Sequence, residues 1–315
     1  MKTGGANSEA DERGPGDIGL PVHRSPFTQM RAYVPDYELR APRTLDEALG
    51  AMAREPGVWR PFAGGTDLMV LFEAGALAHK KFLSVWRLEE LKGVEVTSDH
   101  VTLGALTTYT EVQRHEVLQR EFPALCAAAR ETGGWAIQNR GTVGGNVANA
   151  SPAADSPPAL LAYGAEIELV SSGGARRVKY EEFHTGYKQT AMRADELISR
   201  VRLPRASGDL RSYYRKVGTR RAQAISKVCL AATASVREGR ADAIRVAVGS
   251  VAPTVVLCAR TGELLRGQKI DEGLIAAARE TLSREIAPID DIRSTAEYRL
   301  RVAANLLEEF LTSLR

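Results

Sequence analysis

Gln138-Asn139-Arg140-Gly141-Thr142-Val143-Gly144-Gly145-Asn146-Val147-Ala148-Asn149-Ala150-Ser151-Pro152-Ala153-Ala154-Asp155 gathers glycines, small hydroxyl and amide side chains and one carboxylate into a single span, then enters the apolar segment 157–163. Adjacent glycines allow positive φ and let a backbone approach a ligand with no Cβ in the way. Successive N–H groups in such a turn form a concave nest suited to phosphate. Thr142, Asn146, Asn149 and Ser151 add neutral donors and acceptors of the kind that grip a pyrophosphate or a polyol. Alone, a segment of this type is equally an ordinary tight turn. A second one, Ala63-Gly64-Gly65-Thr66-Asp67, stands about eighty residues upstream. Neither carries the G-x-G-x-x-G pattern or a Gly-Lys-Ser/Thr ending, so neither is a Rossmann or a Walker loop. Each leads into a run that reads as a helix, and the pair suggests one elongated phosphate-bearing ligand, of dinucleotide shape, held from two sides.

Outward from these segments, the first strand is expected over 33–40. A helix follows at Thr44, which stands at capping-box spacing from Glu47, and stops at Pro56-Gly57. A short strand over 59–63 feeds the first glycine segment, and 67–74 resumes as a helix packed beneath it. Strand 82–86, a helical turn over 88–91 and a hairpin over 94–97 and 100–106 come next. One helix through Val112 and Val117 and another over 123–131 precede the second glycine segment, with Thr132-Gly133-Gly134 as the stop. Helix 156–163, strands 165–170 and 177–180, a polar segment and strand 196–203 lead to a polar joint at 204–209, where the domain boundary is expected. Strands 213–217, 224–236 and 243–251, an extension over 253–258, and helices 271–283 and 295–314 form an α+β module with an antiparallel sheet and helices on one side. In the last helix Tyr298, Val302, Leu306 and Phe310 share a face.

Composition narrows the class. A chain of 315 residues, 44% of them apolar, buries a sizeable core and holds two or three domains. Its net charge of +3, with Lys and Arg dispersed, gives no reason to expect nucleic acid. Cys126, Cys229 and Cys258 stand far apart among apolar or small neighbours, a spacing that fits neither a zinc ribbon nor an iron–sulfur cluster and reads as buried, reduced thiols. The opening residues lack the apolar core of a secretory signal and no stretch is long enough to span a membrane. The expectation is a cytoplasmic protein whose N-terminal extension, residues 1–31, is disordered.

The segments Phe62-Ala63-Gly64-Gly65-Thr66-Asp67-Leu68-Met69, Thr142-Val143-Gly144-Gly145-Asn146 and Ser151-Pro152-Ala153-Ala154-Asp155, followed by Tyr214-Arg215-Lys216-Val217-Gly218-Thr219-Arg220-Arg221-Ala222-Gln223-Ala224-Ile225-Ser226-Lys227, resemble the FAD-binding (medium) subunit of the molybdenum hydroxylase and xanthine dehydrogenase family, which includes carbon monoxide dehydrogenase medium chains. The resemblance runs from about Tyr33 to the C-terminus. It implies a two-lobed FAD-binding domain of the vanillyl-alcohol-oxidase (PCMH) type over 32–206, with lobes at about 32–86 and 87–206. A smaller α+β flavoprotein domain, 207–315, would follow.

Carried onto this chain, the resemblance implies that residues 62–69 wrap the FAD pyrophosphate and ribityl, with Thr66 donating its hydroxyl, and that residues 142–146 form a second pyrophosphate loop. Asn149 and Ser151 would continue along the cofactor. Asp155 would accept from its hydroxyls, and its alternative is an N-cap for the next helix. Ile198 and Lys216 would touch the flavin from the far side, Lys216 being otherwise a solvated strand charge. Ile225 would stack near the isoalloxazine face and gate access to it. The resemblance further implies non-covalent FAD as the only cofactor of this chain, with no catalytic acid, base or nucleophile and no metal ligands. Molybdopterin would sit in a large partner subunit and 2Fe-2S centres in a small one, in an αβγ or (αβγ)₂ assembly. Electrons would pass from the 2Fe-2S centres to FAD and on to NAD, quinone or dioxygen. NAD-reducing relatives hold an acid between Arg220-Arg221 and Ile225, where this chain has Ala222, Gln223 and Ala224. Arg220 and Arg221 are expected to be solvated. The competing readings are a stand-alone flavin oxidase of the same superfamily and a binding module without cofactor. The first usually tethers flavin through His or Cys, and all five histidines (His23, His79, His100, His115, His184) fall outside the glycine segments.

Overall fold

The structure is a computed structural model and describes residues 37–206, 208–220 and 223–315. The extension expected over 1–31, the first residues of the strand expected from Tyr33, and Arg221 and Ala222 lie outside these.

The first lobe is a small parallel sheet. Strand β1 (Glu38–Arg40), helix α1 (Leu45–Arg54), β2 (Arg60–Phe62), α2 (Leu68–Glu73) and β3 (Lys81–Ser84) follow in order, with β3 between β1 and β2. Thr44 caps α1 by accepting the Glu47 N–H at 3.2 Å. The box is not closed on Thr44, because the Glu47 carboxylate accepts instead from the Arg43 N–H at 2.7 Å. Helix α1 buries Ala48, Leu49, Ala51 and Met52, the face its apolar spacing prescribes. Helix α2 departs from expectation: none of its six residues is buried, and Met69 and Val70 are exposed. It stands at the rim of the lobe instead of packing beneath the glycine segment.

The second lobe begins with β4 (Val94–Val96) and β5 (His100–Gly104). The single helix expected through Val112 and Val117 is two, α3 (Tyr109–Arg114) and α4 (Glu116–Glu121), because His115 leaves the helical region at φ −76°, ψ 117° and caps both. At the start of α3, Thr108 and Glu111 make a complete capping box. Helices α5 (Pro123–Glu131), α6 (Trp135–Gln138), α7 (Val143–Asn149) and α8 (Ser156–Ala162) follow. Then come β6 (Glu166–Ser171), β7 (Gly174–Lys179), a small hairpin of β8 (His184–Gly186) and β9 (Gln189–Thr190) inside the expected polar segment, and β10 (Leu197–Pro204). The sheet is antiparallel in the order β4-β5-β10-β6-β7. Val101, Leu103, Ile167, Leu169, Val201 and Leu203 project from it onto Tyr109, Val112, Leu125 and Leu160 of the helices, forming one core.

The remaining residues build a second sheet, β11 (Arg211–Val217), β12 (Val228–Arg237), β13 (Arg240–Gly249) and β14 (Val256–Leu257), antiparallel and in sequence order. Strand β12 begins at Val228 rather than near Ala224, since Ala224, Ile225, Ser226 and Lys227 lie outside any strand. Helices α9 (Ala259–Leu265), which was not expected, α10 (Glu272–Glu285) and α11 (Ala296–Ser313) cover one face. Leu306 and Phe310 of α11 are buried as their spacing requires, whereas Tyr298 is exposed beneath the Lys227 ammonium. The sheet's other face is not solvated. It carries the small residues Ala231 and Ala247 into the core of the second lobe, close enough for Thr233 Oγ1 to donate to the Ala162 carbonyl at 2.9 Å. The Arg245 guanidinium likewise donates to the Leu161 carbonyl at 3.0 and 3.2 Å. This close seating of α8 on β12 and β13 fixes where the third sequence signature meets the two glycine segments. All three cysteines are buried and free. No helix among the described residues is long and apolar enough to cross a membrane.

Candidate functional site

A cleft of about 1210 Å³ opens where the three parts meet, somewhat above the usual range of about 300–1,000 Å³ for small-molecule and cofactor sites. Its walls are both glycine segments, residues 192–198 ahead of and within β10, and two pieces of the C-terminal part, 223–225 and 289–293. The residues singled out from sequence divide cleanly. Ala63, Gly64, Gly65, Thr66, Asp67, Leu68, Thr142, Gly144, Gly145, Asn146, Asn149, Ser151, Asp155, Ile198 and Ile225 line the cleft. Phe62, Met69, Val143 and Lys216 do not. Phe62 lies under Gly65 and against the Phe82 ring at 6.2 Å, Met69 points outward from α2, Val143 is wholly buried, and Lys216 lies beneath the cleft floor.

The two glycine segments do different things. Gly65 has φ +76°, and a Cβ there would meet the Phe62 ring at 2.6 Å, so glycine is needed on both counts. A Cβ on Gly64 would run into the Arg140 carbonyl oxygen and sit 2.6 Å from its carbon. The first segment therefore packs backbone to backbone on the second. Among the described residues, no acceptor is bonded to the N–H groups of Gly64, Gly65, Thr66 or Leu68, all on the cleft wall. Such unpaired main-chain donors need a partner from solvent or ligand.

The second segment is not the loop expected from its sequence. Gly144 and Gly145 sit in the first turn of α7 with ordinary helical φ, and the donors of that turn are taken. Val143 N–H donates to the Thr107 carbonyl, Gly144 N–H to the Ala105 carbonyl, both at 2.9 Å, and Gly145 N–H to Thr142 Oγ1 at 3.1 Å. Gly144 is glycine because a Cβ would lie 2.6 Å from Ala105 Cβ. This segment presents side chains instead of N–H groups. Asn149 Nδ2 donates to Asp67 Oδ1 at 3.1 Å while its Oδ1 accepts from Lys188 Nζ at 2.8 Å, latching the lobes and the β8–β9 hairpin together. Asn146 Oδ1 accepts from Ser156 Oγ at 2.8 Å. Replacing Thr142 by Ala should cost about 1 kcal/mol of stability, read from a urea midpoint, and Thr142→Ser should retain most of it.

Asp155 and Lys216 form a buried ion pair at 2.8 Å across the domain junction. Ser226 Oγ donates to the other carboxylate oxygen at 2.6 Å, and Lys216 Nζ also donates to the Glu131 carbonyl at 2.9 Å. Both local alternatives fail: Asp155 makes no cap bond to α8, and Lys216 is not solvated. Burial pushes the Asp155 carboxyl above its ordinary range, and the Lys216 ammonium and Ser226 hydroxyl pull the other way.

Residues not singled out complete the cleft. Tyr187 comes from the hairpin tip, His79 lies with its Nε2 3.0 Å from the Val58 carbonyl, and Ile289, Asp291 and Arg293 arrive from the loop before α11. Ser226, within the third signature, joins the set through its bond to Asp155. Nothing in the one-dimensional pattern announces residues 289–293, which buried Arg299 ties to the end of the third signature. Its Nη2 donates to Asp291 Oδ1 at 2.7 Å and its Nη1 to the Lys227 and Ser250 carbonyls at 2.8 Å.

Residues 35–206 match the family model described as the FAD binding domain in molybdopterin dehydrogenase. The chain belongs to that FAD-binding family. Residues 212–314 match the CO dehydrogenase flavoprotein C-terminal domain. The chain is 29% identical over 271 residues to the xanthine dehydrogenase FAD-binding subunit of Escherichia coli O157:H7, covering 85% of this chain and 92% of that protein. Its fold resembles quinoline 2-oxidoreductase from Pseudomonas putida 86, with a TM-score of 0.83 and 26% identity over 90% of this chain and 98% of that one. It also resembles carbon monoxide dehydrogenase from Hydrogenophaga pseudoflava, with a TM-score of 0.85 over 88% and 96% of the two chains, where 24% identity speaks for the fold alone.

The cleft of this FAD-binding protein suits its cofactor. Unpaired N–H groups at 64–68 match a pyrophosphate, the amides and hydroxyls of Asn146, Asn149 and Ser151 match a polyol, and Leu197 and Ile198 offer an apolar wall to a flat ring.

Proposed function

We propose that this chain is the FAD-carrying medium subunit of a molybdenum hydroxylase, and that it takes electrons from 2Fe-2S centres of a small partner subunit and passes them to an acceptor. A large partner subunit would hold molybdopterin and oxidise the substrate, and the chain would work in the cytoplasm with one or two copies of each subunit. The observation that carries this reading is the row of unpaired N–H groups at 64–68 on the wall of a cleft shared by three sequence signatures.

The N–H groups of residues 64–68, with Thr66 Oγ1, would bind the pyrophosphate of non-covalent FAD. Phe62 would serve from behind the wall by propping Gly65, and Gly144, on the wall itself, would seat α7. Asn146, Asn149 and Ser151 would hold the polyol. Asp155 and Lys216 would act as a pair, closing the floor of the site by joining the domains and leaving the carboxylate's remaining lone pairs for a cofactor hydroxyl. Ile198 and Ile225 would flank the ring. When bound, FAD supplies reversible two-electron chemistry in single or paired steps. The protein's own part is to bind, orient and exclude water.

Mixing the FAD-loaded chain anaerobically with a dithionite-reduced 2Fe-2S partner, freed of excess reductant, tests the electron path. Bleaching of the visible flavin absorbance is expected, and a flavin that stays oxidised while the partner stays reduced would refute the assignment. Acid precipitation should release all flavin into the supernatant.

A further inference from the structure

The described exposed large hydrophobic side chains of the C-terminal part are four, all on two stretches of chain, one around Ile225 and one from Ile289 to Tyr298: Ile225 at 54% exposure, Ile289 at 70%, Ile292 at 100% and Tyr298 at 41%. Isolated exposed apolar residues need no explanation, but a group gathered at one edge of a cleft marks an interaction site. Ile225 and Ile289 line the cleft itself. The segments that carry them are linked by one buried side chain, Arg299, which bonds Asp291 on one segment and the Lys227 and Ser250 carbonyls beside the other. Asp291 tightens its own turn by accepting from the N–H groups of Arg293 and Ser294 at 2.8 and 3.1 Å. The lip is thus a built edge that displays isoleucines.

The described charges of the lip are spent internally. Arg293 and Arg299 both face Asp291, Lys227 lies over the Tyr298 ring at 5.2 Å, and Arg220 Nη2 donates to the Gln223 carbonyl at 2.7 Å. Gln223, Ala224 and Ile225 supply no acid. A phosphate-bearing acceptor gains affinity from uncommitted cations or N–H groups, whereas a neutral flat ring gains it from apolar surface.

Resting on the FAD reading above, we propose that this lip is the acceptor site and that the acceptor is a neutral quinone rather than a nicotinamide dinucleotide. Two electrons and two protons leave the reduced flavin, both carbonyl oxygens of the quinone become hydroxyls, and the flavin returns to its oxidised form. Arg299 serves as a positioning residue that sets the spacing between Ile225 and Ile289.

The test labels isoleucine methyl groups with ¹³C in the full chain loaded with oxidised FAD and titrates a short-tailed 1,4-benzoquinone, then NAD. Saturable shifts of the Ile225, Ile289 and Ile292 methyl signals with the quinone, and none with NAD, are expected. Ile289→Asp should weaken quinone binding at least about tenfold per bound flavin. Anaerobic reoxidation of the reduced flavin by the quinone should slow in step. Saturable shifts with NAD alone, or shifts only on adding a 2Fe-2S protein, would overturn the proposal while leaving the FAD reading intact. A chain that takes up no FAD would overturn both.

Discussion

Gly64→Ala should yield a protein that retains little or no FAD and unfolds well below the wild type. The added Cβ falls on the Arg140 carbonyl, with its carbon 2.6 Å away, and backbone cannot swing aside as a flexible side chain would. Relief requires the first glycine segment to lift off the second, which separates the two walls of the cleft and removes the N–H row from its place. Overpacking of this kind costs about 1–3 kcal/mol, and more where the neighbour is main chain. Gly75→Ala is the comparison: its φ is +65° but nothing lies within 4 Å of the added atom. That variant should lose stability through backbone strain and keep its flavin. Flavin content per chain and thermal denaturation of the two variants check the pair of outcomes.

Lys216→Met should be the more damaging change. It leaves Asp155 buried without its ion-pair partner and with only the Ser226 hydroxyl in compensation. Breaking a buried pair from one side costs about 3–5 kcal/mol. The deficit should depend on pH in a definite sense. Burial already raises the Asp155 carboxyl, and removing the ammonium that opposes burial raises it further. A folded-state value above the unfolded one means that the fold holds the proton more tightly. The deficit is therefore smallest near and below the ordinary value of 3.8 and grows as pH rises through the folded-state value. Urea midpoints at mildly acidic and mildly alkaline pH should diverge accordingly. Adding Asp155→Leu to Lys216→Met should recover part of the loss, since neither charge is then stranded.

The difference between these two sites shows what the sequence disclosed. Local signals were legible because local chemistry decides them: Thr44 capping its helix, the apolar residues Leu306 and Phe310 of α11, and the glycines as points of close approach. What those glycines approach was not. Gly144-Gly145 reads as a phosphate nest until the carbonyls of Thr107 and Ala105 are seen taking the N–H groups, and those acceptors come from the stretch between β5 and α3. Lys216 reads as a strand charge until Asp155, 61 positions earlier, is found against it. Helix α2 looked like core from its apolar run and stands at the rim, because composition cannot tell whether a second surface arrives to cover it. Family resemblance supplied the cofactor. Only packing supplied the division of labour between a segment that offers main-chain donors and one that offers side chains.

That division is the central claim, and amide hydrogen exchange tests it most directly. In the FAD-free chain the N–H groups of residues 143–145 should already exchange slowly, being bonded within the protein, while those of residues 64–68 should exchange fast. Adding FAD should fill one site per chain and slow the amides at 64–68 strongly, with little change at 143–145. Flavin that binds while protecting 143–145 and leaving 64–68 fast would contradict the account, as would a chain that binds no flavin.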